Sequence, residues 1–337
     1  MVHFGPIGSK GGMSSLIRSL LENEVEGWNS SVIETHSEHG VMSKVAAWAS
    51  ARMKLKRLIR EREIDLAHFH VTHSFSWWRK RDLMKICSKN SVPSIIHIHS
   101  GKFDLFCSGF AGKSVKRELG LPGRKTVVLE KRWLNRLEGF IPEDAEVVQN
   151  ICNVEPFEKT LEPPRGKINF LILSRMDAVK GHDLAIEIVE EIRKRGIESN
   201  LTITGFKEDG QYENQNDWIN ALGWVSDERR DEILQQTDIM LSPSLYEGSS
   251  ISVIESIVSG IPCICSSASA ETVGIQELVV DSTNAIIWAD RIEEILERGK
   301  FNEIVRKIGK EARKYSPDLV MERWAKIYSL ALKNDAI

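Results

Sequence analysis

The stretch "SPSLYEGSSISVIESIVSGIPCI", residues 242–264, holds two carboxylates eight positions apart, Glu247 and Glu255. Between them lie a glycine, three serines and three β-branched aliphatics. Gly248 and the serines can open a helix near Ser250, and Gly260 followed by Pro262 ends it. The amides of Gly248, Ser249, Ser250 and Ile251 would then gather at a helix N-terminus, which attracts an anion such as a phosphate. Glu255, one turn further in, could accept hydrogen bonds from ribose hydroxyls, and Glu247, on the loop before the helix, could meet a sugar ring. Taken alone, the spacing favours an acid that serves the helix dipole beside a solvated helix face.

Upstream, "LSRMDAVKGHD", residues 173–183, follows the strand-like "NFLILS". It sets Arg175 and Lys180 at a strand end, with Gly181 just before a helix. Two cations there can neutralise a diphosphate, and can equally be solvated surface charges. "GPIGSKGGMSS", residues 5–15, is a glycine-rich turn between the first strand and the first helix, and Gly12 in it lets backbone approach a ligand closely. Its glycines do not form GxGxxG, and no acid ends the second strand cleanly, so a dinucleotide site is disfavoured. "GFAGKS", residues 109–114, fails as a phosphate loop because Cys107 stands where the first glycine must be.

"HFH" and "HIH" put His68 with His70, and His97 with His99, at i, i+2 on strands, so each pair shares a face. No carboxylate or thiolate spacing supports a metal there. His99 ends its strand and is placed to touch a substrate, whereas His68 reads as a buried, satisfied histidine. No Asp-x-Asp occurs, so a clamp that holds a metal on a diphosphate is not expected.

These residues need a scaffold, and the pattern supplies one. Short apolar runs alternate with helical periodicity from "VHFG" to "AEVVQN". A second alternating series runs from "INFLILS" through "HDLAIEIVEEIRKRG", "NLTITG", "INALGWV", "DERRDEILQQT", "IMLSPS", "SSISVIESIVSG" and "PCICSS" to "NAIIW". Such alternation implies parallel sheets covered by helices, with ligands at the carboxyl ends of the strands. The proline-rich "EPFEKTLEPPRGK" reads as a linker. The expected organisation is an α/β chain with a first Rossmann-like domain over 1–155, a second over 156–312, and an amphipathic helix over 313–337.

The 337 residues, 42% hydrophobic and 28% charged, suit a globular protein of two domains. Residues 1–150 carry 23 Lys and Arg against 16 Asp and Glu, a balance of +7; the remainder carries 22 against 32, a balance of −10. Different partners for the two halves are implied. "ARMKLKRLIRER" and "WWRKRDLMK" mix cations with Trp48, Trp77, Trp78, Leu55 and Ile59. Such a face could lie on an anionic membrane, or the apolar side chains could pack on the sheet. Five cysteines without CxxC suit a reducing cytoplasm, and no secretory leader or spanning run is seen.

Together "SRMDAVKGHD", "GWVSDERRDEILQQTDIMLSPSLYEGSSISVIESIVSGIPCI" and "HIHSGKFDLF" resemble the GT-B glycosyltransferases, and look closest to family 4 of the retaining, hexosyltransferase-type enzymes with their E-x7-E motif. The resemblance implies a GT-B fold of two tandem Rossmann-like, doubly wound domains facing across a cleft. It implies a UDP- or GDP-type sugar donor, a glycan or lipid-linked glycan acceptor and neither nucleic acid nor a bound metal; the basic first half could meet that acceptor as a peripheral contact at a cytoplasmic membrane surface. By the same resemblance Arg175 and Lys180 hold the diphosphate and Glu255 the ribose. Glu247, with the amides of Gly248, Ser249, Ser250 and Ile251, positions the sugar, His99 reaches it, and Gly12 approaches the diphosphate. The chain departs from the family pattern at Ser249-Ser250, at "HSG" and at "SSASAETVGIQELV", which leaves Glu271 and Glu277 without a role. A non-catalytic subunit that binds nucleotide-sugar, or an epimerase acting on one, would share most of these features.

Overall fold

The computed structural model describes residues 1–333 except 10, 24, 38–39, 155, 157–161 and 207–215. The chain divides into two compact units, Met1–Ile151 with Ser316–Ile337, and Cys152–Tyr315. These borders lie a few residues from 155 and 312 because Cys152 and Tyr315 belong together. The Cys152 amide donates to the Tyr315 carbonyl at 3.1 Å, and both side chains pack against Ile254.

The first unit contains β1 (Val2–Gly5), β2 (Ser31–Glu34), β3 (Ala67–Val71), β4 (Ser94–Ile98), β5 (Arg124–Val128) and β6 (Glu146–Val147). They form one sheet in the order β2-β1-β3-β4-β5-β6, and every pairing is parallel. β3 and β4 are buried at every position. Such unbroken burial is what a parallel sheet covered on both faces requires. One face of the sheet carries Phe4, Phe69, Val71, Ile96 and Ile98, which join Trp77 of helix Phe75–Lys89 in the core. The tail does not form one helix from 313. Arg313–Tyr315 is a separate turn, and the last helix starts at Pro317, where a missing amide costs nothing, and runs to Lys333.

The second unit contains β7 (Ile168–Ile172), β8 (Ser199–Ile203), β9 (Ile219–Ala221), β10 (Ile239–Ser242) and β11 (Cys263–Cys265) in the order β11-β10-β7-β8-β9, again all parallel. Helix His182–Lys194 buries His182, Ala185, Ile188, Val189 and Ile192, a period near 3.6 that forms one stripe. It ends at Gly196, whose φ of +82° lets the Ile197 amide reach back to Ile192. Helix Asp227–Gln236 is capped by Ser226, whose Oγ accepts from the Arg229 amide at 3.2 Å, with Asp227 and Glu228 in its first turn. "NAIIW" opens helix Ala285–Leu296 instead of forming a strand; Asn284 caps it and Trp288 is buried on its inner face. The linker segment lies partly outside the described residues. No helix among them is long and apolar enough to cross a membrane.

Candidate functional site

In each sheet the strand order reverses beside the first strand, between β1 and β3 and between β7 and β10. Ligands of doubly wound sheets bind at the carboxyl ends of the strands at such a point. The loops after β7 and β10 carry Arg175, Lys180, Glu247 and the start of helix Ile251–Val258.

Those two loops are joined. Lys180 Nζ donates to Glu247 Oε1 at 2.7 Å, with side chains only 17% and 10% exposed, and the Leu245 amide donates to the Val179 carbonyl at 2.8 Å. Gly181 has φ +73°, and a Cβ there would collide with the Pro243 carbonyl oxygen and stand 3.0 Å from Pro243 Cγ. Gly205, at φ +88° after β8, is pressed against the backbone of Ser174 and Arg175, where a Cβ would lie 2.6 Å from Arg175 Cα. Ser174 Oγ and His182 Nε2 are 3.0 Å apart, which anchors the loop to its helix. Arg175 itself is 63% exposed and has Asp177 at 3.6 Å. Both cations thus face an acid, Arg175 loosely in solvent and Lys180 closely and largely out of it.

Helix Ile251–Val258 begins after Ser250, whose extended backbone makes it the cap residue. Its side chain does not bond the helix amides; Ser250 Oγ lies 3.2 Å from Ser252 Oγ. Gly248, Ser249, Ser250 and Ile251 thus lead into a helix start whose dipole favours an anion. Glu255 is buried on the same helix, with Arg230 Nη1 3.2 Å from its Oε1. Burial pushes its carboxyl up to about 7. Arg230 pulls the other way, and Asp227 and Asp231 add to the rise. Arg230 had no role in the sequence reading. The signal for it was its place on the short helix "DERRDEIL", one turn from Asp227, and only the fold brings it to Glu255. Glu277 pairs with Lys307, which accounts for that acid within the unit.

In the first unit Gly12 starts helix Gly12–Glu22, preceded by Gly11 at φ +138° with open space where a Cβ would be. The second strand does end on an acid, contrary to the sequence reading, because β2 stops at Glu34 and not further along "VIETH". Glu34 Oε1 accepts from the Gly8 amide at 3.1 Å, so this carboxylate fastens the glycine-rich loop. His99 follows β4, partly buried, with its Nε2 3.0 Å from His70 Nδ1. His68 is fully buried, with Tyr328 and His97 at its two nitrogens. Trp77 and Leu55 are fully buried as well, and Trp78 packs on Phe106 and Phe110, so the tryptophan-rich helices spend most of that apolar surface inside the unit.

Residues 153–315 match the family model described as glycosyl transferases group 1. The chain carries a glycosyl transferases group 1 domain. It is 27% identical over 139 residues to the putative glycosyltransferase EpsF of Bacillus subtilis, covering 38% of this chain and 36% of that protein. It is 26% identical over 258 residues to the Escherichia coli UDP-Gal:alpha-D-GlcNAc-diphosphoundecaprenol alpha-1,3-galactosyltransferase, covering 64% and 60%. The aligned stretches span between 27% and 60% of the length of the curated relatives the chain matches. Among solved structures, Anabaena Alr3699/HepE in complex with UDP-glucose superposes with a TM-score of 0.69 at 11% identity over 98% of this chain and 99% of that one. The architecture is GT-B, two parallel-sheet α/β units. The group 1 domain holds Arg175, Lys180, Glu247 and Glu255 at its β7/β10 switch point; Gly12 and His99 stand in the other unit.

Proposed function

We propose that the chain is a retaining, metal-independent glycosyltransferase of the family 4 type. It moves a hexose from a nucleoside-diphosphate sugar to a hydroxyl of a glycan or lipid-linked glycan. The observation that carries this is the junction of the β7 and β10 loops at the switch point. There Lys180, Glu247 and the N-terminus of helix Ile251–Val258 stand together beside exposed Arg175. A diphosphate at the helix start meets oriented amides and cations, so its charge is neutralised without a divalent ion. Glu255 takes the ribose and Glu247 the sugar. Arg175 and Lys180 stabilise the leaving diphosphate as charge develops on it. Retention follows the family resemblance. UDP is the nucleotide to try first, since HepE is seen with UDP-glucose and a relative carries UDP-Gal in its name.

The acceptor side is the basic first unit. Membrane contact is proposed through Met42 and Met53 of helix Val41–Glu61, both exposed among Lys and Arg, and through Phe75 and Phe110. Flotation with anionic vesicles checks that part: retention with neutral vesicles alone, or none, counts against it.

The deciding experiment is calorimetric titration of the whole chain with UDP, GDP, ADP and CMP in excess EDTA, followed by donor hydrolysis with each matching sugar nucleotide. One nucleoside diphosphate should bind in EDTA and its sugar donor should turn over. Binding without any hydrolysis or transfer would point to a non-catalytic subunit. Absence of binding by all four would overturn the donor-site reading.

A further inference from the structure

Five histidines meet on one face of the first sheet: His3 on β1, His68 and His70 on β3, His97 on β4 and His99 just beyond it. The register puts His3 beside His68 and His70 beside His97. Two chains of contacts result. His3 Nδ1 faces His70 Nε2 at 3.0 Å, and His70 Nδ1 faces His99 Nε2 at 3.0 Å. Tyr328 Oη faces His68 Nδ1 at 3.2 Å, and His68 Nε2 faces His97 Nδ1 at 3.3 Å. His97 Nε2 is buried with no hydrogen-bond partner among the described residues. One ring nitrogen each from His70, His97 and His99 lies within 4.8 Å of the others.

We propose that His70 Nδ1, His97 Nε2 and His99 Nε2 form a binding site for a divalent late transition-metal ion of the zinc type. Imidazole nitrogens sit about 2.0–2.1 Å from such an ion. Tetrahedral angles then place neighbouring nitrogens roughly 3.3–3.4 Å apart, so the 3.0 Å between His70 and His99 opens by only a few tenths of an ångström. The outer partners are already in place. His70 is held through its other nitrogen by His3, and His97 through its Nδ1 by His68, which Tyr328 holds in turn; such contacts fix ring orientation in metal sites. Trp324 lies 4.7 Å from the His68 ring and 4.9 Å from the His97 ring, which closes this end of the array.

The ligand chemistry selects the metal. No carboxylate or thiolate belongs to the group, so magnesium and calcium, which take oxygen, are excluded, while zinc, cobalt, nickel and copper suit imidazole. Three ligands with His99 only partly buried leave a fourth position for water. His99 keeps its Nδ1 for a hydrogen bond. The site lies wholly in the first unit, and its failure would leave the donor reading of the second unit untouched.

The test uses the whole chain, stripped with chelator, loaded with zinc or cobalt chloride and desalted. One ion per chain is expected by elemental analysis. The cobalt form should show the strong visible bands of a four-coordinate nitrogen and oxygen set, without thiolate charge transfer. His99→Ala and His97→Asn should each lose the ion. Wild type that retains no metal, or His99→Ala that retains a full equivalent, overturns the proposal and leaves a hydrogen-bonded imidazole array. If either variant fails to fold, the wild type still decides: its melting temperature should rise with zinc and not with magnesium, and no rise with zinc overturns the site.

Discussion

Replacing Gly181 by alanine probes the contact that joins the β7 and β10 loops. The substitution imposes two costs. The first is conformational, because φ +73° is left-handed and costs a non-glycine residue about 1–2 kcal/mol, part of which is returned by the stiffer unfolded chain. The second is steric, because the new methyl meets the Pro243 carbonyl and the Pro243 ring and must push backbone apart. Gly196→Ala separates the two. Its φ is +82°, and nothing lies within 4 Å of the position a Cβ would take. Gly196→Ala should therefore cost about 1 kcal/mol, and Gly181→Ala roughly 3 kcal/mol. For a unit of this size these correspond to about 2–4 °C and 6–12 °C in melting temperature. Displacing the loops also separates Lys180 from Glu247, and a shift of about 1 Å at such a site can cost up to 10²-fold. UDP titrated into both variants should show a Kd raised at least about tenfold for Gly181→Ala and unchanged for Gly196→Ala. Equal losses of stability with equal UDP affinities would refute the idea that this close approach holds the site together.

Three further outcomes follow from the site's charges. Glu255 holds its proton up to about 7 in the folded chain against 4.5 otherwise, so it favours the folded state below pH 4.5 and loses that contribution as pH rises to about 7. If the ribose needs the carboxylate, nucleotide affinity should fall by up to about tenfold per pH unit below 7, and Glu255→Gln should flatten the profile relative to wild type; matching profiles by calorimetry would contradict the ribose role. Glu247→Gln removes the partner of Lys180 and frees its charge for a diphosphate. UDP should bind severalfold tighter while donor turnover falls by roughly 10²-fold, and a fall in both would show that Glu247 serves folding more than chemistry. Lys80 is buried with Ser76 Oγ at 3.0 Å and is lowered to about 7 from 10.5, so its burial penalty is full below about 7 and fades as pH climbs toward 10.5. Lys80→Met should raise the melting temperature most at pH 6 and least near pH 10; a pH-independent difference would mean that the lysine is not buried as a neutral group.

The sheets were legible because parallel strands buried on both faces write themselves as short apolar runs, and β1 coincides with "VHFG". What periodicity does not carry is the sign of a short run: "NAIIW" is as apolar as a strand, and Asn284 capping the Ile286 amide makes it a helix start. Arg175 and Lys180 could be placed at a strand end from the pattern, and Glu247 and Glu255 drew notice by their spacing, since strand ends are where a doubly wound sheet leaves backbone open. Their pairing was not legible. That Lys180 spends its charge on Glu247, and Glu255 faces Arg230, depends on the strand order β11-β10-β7, which brings residues far apart in sequence into contact. The histidines make the same point more sharply. Each i, i+2 pair was visible on its own strand, but three neighbouring strands in register were needed to turn two pairs and His3 into one array. A metal site assembled by register leaves no spacing motif, which is why the same residues gave no reason to expect one when read along the chain.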